Sequence, residues 1–192
     1  MEKLDKDYQE LKKTIRELIR LDFITPDEIP NMELYMDQLT HFMDQHLGST
    51  LRNEDEKALT KTMINNYTKN KLIPAPEKKR YSRKHLILLI YIYYLKNVVS
   101  INDIRRILGP MIESDFSSDK IYNIYKSIFE MEKQQYFNAE ASIIRTQQVA
   151  EKRLPKDEDE YLNKMAFIYM LGYDIFMKKR LIEKLIDELP EE

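Results

Sequence analysis

The chain has 192 residues, 43% apolar and 33% charged, with a net charge of −2 and no cysteine. That is long and apolar enough for a buried core in one or two domains, and the missing thiols exclude disulfide frameworks, thiolate zinc sites and cysteine nucleophiles. Three glycines against abundant Leu, Ile, Lys, Glu and Tyr favour helices over sheets, so the expected fold class is all-α.

The opening MEKLDKDYQE lacks the apolar run of a signal peptide, and no stretch reaches the roughly 18 successive apolar residues of a membrane span. A cytoplasmic protein without a membrane partner is expected. Leu4, Tyr8, Leu11, Ile15 and Leu18 recur at steps of four and three, so residues 1–28 begin with an amphipathic helix suited either to a second chain or to its own core. Thr25-Pro26-Asp27-Glu28 reads as a capping box with Pro at the first helical position. After Pro30 a helix is predicted over about residues 31–47, burying Leu34, Leu39, Phe42, Met43 and Leu47 and closed by Gly48. A long polar connection, residues 48–58, follows.

Thr60 caps the next predicted helix, whose Met63, Ile64 and Tyr67 fall on one face. The opposite face carries Lys61, Thr62, Asn65, Asn66 and Lys69, none apolar and none acidic. Asn and Lys side chains bond base edges and phosphates in a major groove. Pro74 and Pro76 then force an extended turn, and Lys78, Lys79, Arg80, Tyr81 and Arg83 form a cluster suited to a phosphate backbone. From Lys57 to Lys96 there are ten Lys or Arg against Glu77 alone, a local +9 that leaves −11 for the remainder. A basic segment in an acidic chain is the footprint of an anion-binding module, although a charge run also serves as a solvated face.

Ser82 starts a helix containing LILLIYIYYL, too short to span a bilayer and apolar all round, which predicts a central strut. Ser100-x-x-Asp103 opens a further short helix, with Gly109-Pro110 stopping it at Leu108. Ser117-Ser118-Asp119 begins a long helix carrying Ile121, Tyr125, Ile128, Phe129 and Tyr136 and running past Ile143 to Lys152. A charged hinge at 154–160 precedes a last helix rich in Met165, Phe167, Ile168, Met170, Leu171, Ile175, Phe176, Leu181, Leu185 and Ile186, read as core, with Gly172 marking a close contact or a bend.

His41 and His46 are five apart, not the four that aim two rings at one ion, and His85 stands alone, so no metal site is expected. With no GxSxG, no phosphate loop and no glycine cluster, no catalytic residue and no cofactor are expected either.

The order of these pieces resembles the MerR-type winged helix-turn-helix regulators. There a capped helix with Ile-x-x-Tyr runs into Leu-Ile/Leu-x-Pro, an Arg-Tyr wing, an apolar helix and a Ser-led short helix. This chain supplies Thr60, Ile64-Asn65-Asn66-Tyr67, Leu72-Ile73-Pro74, Arg80-Tyr81, Ser82 and Ser100-Ile101-Asn102-Asp103-Ile104 in that order. LYMDQ at 34–38, with LTKTMINNY and KRYSRKH, looks closer still to the bacterial domain-of-unknown-function family 1836, which is MerR-like. The likeness spans about residues 29–110. Two departures stand out: Lys71 occupies the place of a helix-closing Gly, putting Asn70 forward as the left-handed residue, and the wing between Pro76 and Arg80 is short.

The resemblance implies a winged helix-turn-helix head over 29–110, with a minimal β wing, and a helical dimerisation or effector region over 111–192. The expected function is a sequence-specific regulator binding double-stranded DNA as a homodimer. Lys61, Thr62, Asn65, Asn66 and Lys69 would enter the major groove, and Lys78, Lys79, Arg80, Tyr81 and Arg83 would hold phosphates. The alternative is a non-catalytic interaction or scaffold protein whose winged fold holds an acidic partner. Salt-dependent binding to random duplex DNA separates the two.

Overall fold

The computed structural model describes residues 9–10, 12–17, 24–53, 55–113, 116–153 and 160–190, and these are mostly helical. They divide into two compact units, Leu21–Glu130 with Glu183–Glu192, and Met1–Arg20 with Met131–Ile182.

In the first unit the Thr25 amide donates to Glu28 Oε2 at 2.7 Å, and the expected turn Pro26–Glu28 follows as a 3-10 helix. The helix expected from residue 31 begins instead at Met36. Leu34–Tyr35 is a strand, β1, paired antiparallel with β2, Arg80–Tyr81, in the register Leu34 to Tyr81 and Tyr35 to Arg80. The alternation explains the choice. Leu34 and Tyr81 are buried on one side while Tyr35 and Arg80 face out, a period of two that a helix would not give. Helix α1, Met36–Leu47, is then capped by Gln38 Oε1, which accepts from the Tyr35 amide at 2.9 Å. It buries Leu39, Met43 and Leu47, with Phe42 only half-buried. Gly48 does not close α1 in a left-handed conformation: its φ is −59°, and the chain winds on as a 3-10 turn, Gly48–Thr50.

Helix α2, Lys61–Lys69, packs on α1, and α3, Arg83–Leu95, follows β2. As the all-apolar run predicts, α3 is the central strut, burying His85 through Ile90 together with Ile92 and Tyr93. Each such side chain contributes about 1.5–3 kcal/mol by leaving water, and truncating Leu88 or Leu89 to Ala would cost about 2–5 kcal/mol. Helix α4, Ile101–Glu113, starts at the expected Ser100 cap, where Asp103 Oδ2 accepts from the Ser100 amide at 3.0 Å. It does not stop at Leu108. Pro110 sits inside it, and the interior-proline cost of about 3 kcal/mol is offset by packing that buries Leu108 and half-buries Met111 and Ile112.

Helix α5, Ser118–Arg153, is the long helix foreseen, and its first turns complete the core with Ile121, Tyr125 and Phe129. Two adjoining arginines on α4 reach in different directions. Arg105 Nη2 donates to the Asn70 carbonyl at 2.8 Å, whereas Arg106 Nη2 donates to the Leu189 carbonyl at 3.2 Å and Arg106 Nη1 lies 3.8 Å from Asp187 Oδ1.

The second unit holds the helical residues 9–10 and 12–17, the later part of α5, and most of helix α6, Glu160–Asp187. Of the N-terminal apolar stripe, Ile15 is described and buried; Leu4, Tyr8, Leu11 and Leu18 lie outside the described residues, as does the hinge at 154–159. Arg16 is paired with Glu140 at 3.1 Å. The reading of the last helix as ordinary core is overturned. Met165, Ile168, Met170, Ile175, Phe176, Leu181 and Leu185 are exposed, Phe167 and Leu171 are half-buried, and Ile186 alone of that set is buried. A Cβ at Gly172 would meet nothing within 4 Å, so this glycine marks no close contact among the described residues.

Candidate nucleic-acid interface

The α2 helix is built as its sequence requires. Thr60 Oγ1 accepts from the Met63 amide at 3.2 Å, satisfying one of the donors that a helix start leaves open. Ile64 and Tyr67 are buried, Met63 is half-buried, and Lys61, Thr62, Asn65, Asn66 and Lys69 are all exposed. All five residues expected on the outer face therefore share it.

The end of α2 differs from the expectation in one residue. Asn70 has a φ of −88° and donates its side-chain Nδ2 back to the Asn66 carbonyl at 2.8 Å, while Lys71 takes the left-handed conformation with φ 58°. The Leu72 amide reaches the Tyr67 carbonyl at 2.8 Å and the Lys71 amide reaches Thr68 at 3.1 Å. That pair of bonds is a Schellman closure, with buried Leu72 and Tyr67 as its apolar contact. Glycine normally fills this position because a Cβ is disfavoured there. Lysine does so here, and its side chain is exposed beside Lys69.

The wing repeats the pattern. The Arg80 amide donates to the Glu77 carbonyl at 2.8 Å, and the two residues between them, Lys78 and Lys79, have φ of 47° and 63°. Two successive positive φ values are the mark of a type I′ hairpin turn, which favours Asn-Gly. Lys71, Lys78 and Lys79 are the non-glycine residues with positive φ among the described residues, and all three are exposed.

Not every residue of the predicted cluster faces out. Tyr81 is 4% exposed, its ring edge-on to His85 at 5.4 Å, because the strand pairing turns it inward with Leu34. Arg83 is half-buried, its guanidinium 4.2 Å from the centre of the Tyr122 ring on α5. Arg80 is exposed, 3.3 Å from Glu33 and 5.9 Å from the centre of the Tyr35 ring. Nor is the outer face free of acid. Asp37, in the first turn of α1, is ion-paired with Lys61. Sequence spacing gave no sign of this contact, since the partners stand on different helices. The Lys71 side chain was also missed, although its place at a glycine position was the clue.

Behind the surface, His85 serves the frame. The Ser82 amide donates to its Nδ1 at 3.0 Å, and Nε2 lies 3.2 Å from the Pro74 carbonyl, so the neutral ring with its proton on Nε2 satisfies both partners. Burial holds its pKa below the usual histidine value, against the raising effect of the Pro74 bond. The polar loop into α2 is pinned twice at Ala58, whose amide donates to Asp44 Oδ1 at 3.1 Å and whose carbonyl accepts from Lys96 Nζ at 3.1 Å. Desolvation lowers the Lys96 pKa. A cavity of about 460 Å³ lies against this loop, with Asp44 and Glu56 opposing Arg52 and Lys57. Its mixed charge selects no ligand class. Among the described residues no three His, Cys, Asp or Glu side chains are grouped to hold a metal, and no helix is long and apolar enough to cross a membrane.

A family model described as a domain of unknown function, DUF1836, matches residues 24–128, more than half of the chain. The chain belongs to the DUF1836 family. No curated protein and no solved structure matches it. The DUF1836 span takes in everything from the capping turn to the first turns of α5, and its two ends are bonded together. Tyr125 Oη donates to the Ile24 carbonyl at 2.5 Å and Tyr122 Oη to that of Pro26 at 3.2 Å.

Proposed function

We propose that this DUF1836 domain is a MerR-like winged helix-turn-helix head that binds double-stranded DNA, and that the protein is a non-catalytic, sequence-specific transcriptional regulator. In this reading α2 enters the major groove with Lys61, Thr62, Asn65, Asn66 and Lys69, while Lys71, Lys78, Lys79 and Arg80 contact phosphates on either side. Tyr81 and Arg83 support the wing from behind.

One observation carries the reading. Three lysines accept left-handed backbone conformations, and all three are exposed, Lys71 just past the end of α2 and Lys78 and Lys79 in the turn before β2. Each such conformation costs about 1–2 kcal/mol for a residue with a Cβ. Glycine or asparagine would relieve the cost at every one of them. Strain retained at exposed cations points to a use for the charge, and a row of phosphates supplies that use.

The test is a titration of the full chain with a labelled random duplex across a salt series. Affinity should fall linearly with the logarithm of salt concentration, with a slope of about 0.9 per phosphate neutralised, and four or more contacts are expected. Absence of binding at low salt would reject the proposal. A second reading, an acidic protein segment as ligand, is favoured by one fact: Lys61 and Arg80 already take carboxylates, those of Asp37 and Glu33. An acidic peptide that binds while duplex DNA does not would select it.

A further inference from the structure

The head has a second stretch of one sign, opposite to that of the basic segment. From Ile24 to Leu51 the chain carries Asp27, Glu28, Glu33, Asp37 and Asp44 and no Lys or Arg. An open groove of about 310 Å³ lies in this stretch, where the turn Pro26–Glu28 and β1 meet α1. Its α1 wall follows from helical spacing. Gln38, His41, Phe42 and Gln45 stand at i, i+3, i+4 and i+7, one face of the helix, while Leu39, Met43 and Leu47 on another face enter the core. Phe42 lies at the border of the two faces, so it is half-buried and lines the groove with Pro30 and Leu34. Its ring rests 4.4 Å from that of His46, which limits its freedom to turn away.

The opposite wall is fixed as well. Glu28 Oε2 accepts from the Thr25 amide at 2.7 Å, and Tyr122 Oη holds the Pro26 carbonyl at 3.2 Å. Pro26 and Ile29 are buried, and the proline rings at 26 and 30 fix their own φ. A groove built in advance in this way spares a partner most of the ordering cost on the protein side. We infer that the groove docks a basic protein segment, which lodges a large apolar side chain among Pro30, Leu34 and Phe42 and sets lysines or arginines against Glu28 and Asp27.

Charge selects the occupant. Arg80 meets Glu33 and Lys61 meets Asp37, whereas Glu28 and its neighbour Asp27 are exposed and have no Lys or Arg partner among the described residues. Bonds from Thr25, its backbone amide first, hold the Glu28 pKa below its ordinary value, so the carboxylate stays ionised. Nucleic acid and anionic lipid are repelled by the same carboxylates. The volume stands at the lower end of ligand-sized clefts, roughly 300–1,000 Å³, which suits one or two side chains of a larger partner. His41 and Gln45, exposed on the rim, offer hydrogen bonds to its backbone. The inference does not rest on DNA binding by α2 and the wing: a chain that binds no duplex would still take the basic segment here.

The test uses the full chain as bait for a phage-displayed library of random peptides. Enriched peptides should carry Lys or Arg beside a Leu, Ile, Phe or Met, and a synthetic copy of the most enriched should bind with an affinity that falls as salt rises. Gln45→Trp, which fills the groove from its rim, should weaken that peptide about tenfold, the loss expected when an apolar anchor is shut out. Glu28→Gln keeps an acceptor for the Thr25 amide and removes the charge, and should weaken it about two- to fivefold. Both variants should melt with the parent. If Gln45→Trp loses its fold, His41→Trp narrows the same groove from the preceding turn. No enrichment, enriched peptides that are acidic or lack basic residues, or a peptide that binds the variants as tightly as the parent would overturn the inference. So would self-association in sedimentation that the groove-filling variant abolishes, which would make a second copy the occupant.

Discussion

Lys61 at the start of α2 is ion-paired with Asp37 at the start of α1, so the first cation of the proposed reading face is bound to the protein's own carboxylate. Both side chains are largely exposed, and such a pair is worth about 0–1 kcal/mol to the fold. Asp37→Asn should therefore leave the thermal midpoint nearly unchanged. It frees Lys61 for phosphate, so affinity for any duplex should rise about three- to tenfold and the salt slope should steepen by about one. Unchanged affinity and slope in a salt titration would place Lys61 away from DNA.

The lysine turn predicts a trade between stability and binding. Replacing Lys78 and Lys79 by Asn and Gly supplies the residues that a type I′ turn prefers. The double variant should gain about 1–2 kcal/mol and melt several degrees higher. Its affinity for random duplex should fall while its salt slope becomes shallower by about two. A variant no more stable than the parent would mean that the turn is not strained.

Asn65 separates specificity from affinity. It is exposed on α2, and Asn is a weaker helix former than Ala by a few tenths of a kcal/mol. Asn65→Ala should be as stable as the parent or slightly more so. Its preference for a selected cognate duplex over a scrambled one should drop by about 1–3 kcal/mol, the worth of a bidentate adenine contact. An unchanged ratio in paired titrations would mean that Asn65 reads no base.

His85 sets a pH dependence. Its pKa is lowered in the folded chain by burial, so the unfolded chain, titrating near 6.5, binds the proton more readily. Stability should be full above about pH 6.5 and decline as pH falls below it toward the depressed folded value. His85→Gln keeps an acceptor at the third helical position for the Ser82 amide but cannot charge. Thermal melts from pH 7 down to 5.5 should show a falling midpoint for the parent and a flatter one for the variant. Parallel curves would assign the dependence to other groups.

The parts of the fold legible in the sequence were those fixed by local chemistry. Thr60, Ser100 and the run Leu86 to Leu95 each act within one or two helical turns, and the helices they imply are present. The local pattern of Leu34 and Tyr35 reads as helix, because their strand exists only through pairing with residues 80–81, far along the chain. Pro110 reads locally as a stop, because the packing that overrides it is tertiary. At the candidate interface the outer face of α2 followed from periodicity. The inward turn of Tyr81, the stacking of Arg83 on Tyr122 and the Asp37 contact all depend on elements arriving from elsewhere. The exposure of α6 was hidden for another reason: helical spacing reveals which residues are apolar, but not whether their cover comes from the same chain.

Arg105 and Arg106 hold α4 at two points, one to the carbonyl that ends α2 and the other to the carbonyl of Leu189. Neighbours on a helix point about 100° apart, so α4 cannot roll to shorten one bond without lengthening the other. Torsion about the α4 axis is thereby locked at both ends of the lever. Displacing residues 187–189 would remove one of the two restraints, and of the pair only the Arg105 bond to the end of α2 would still resist that roll.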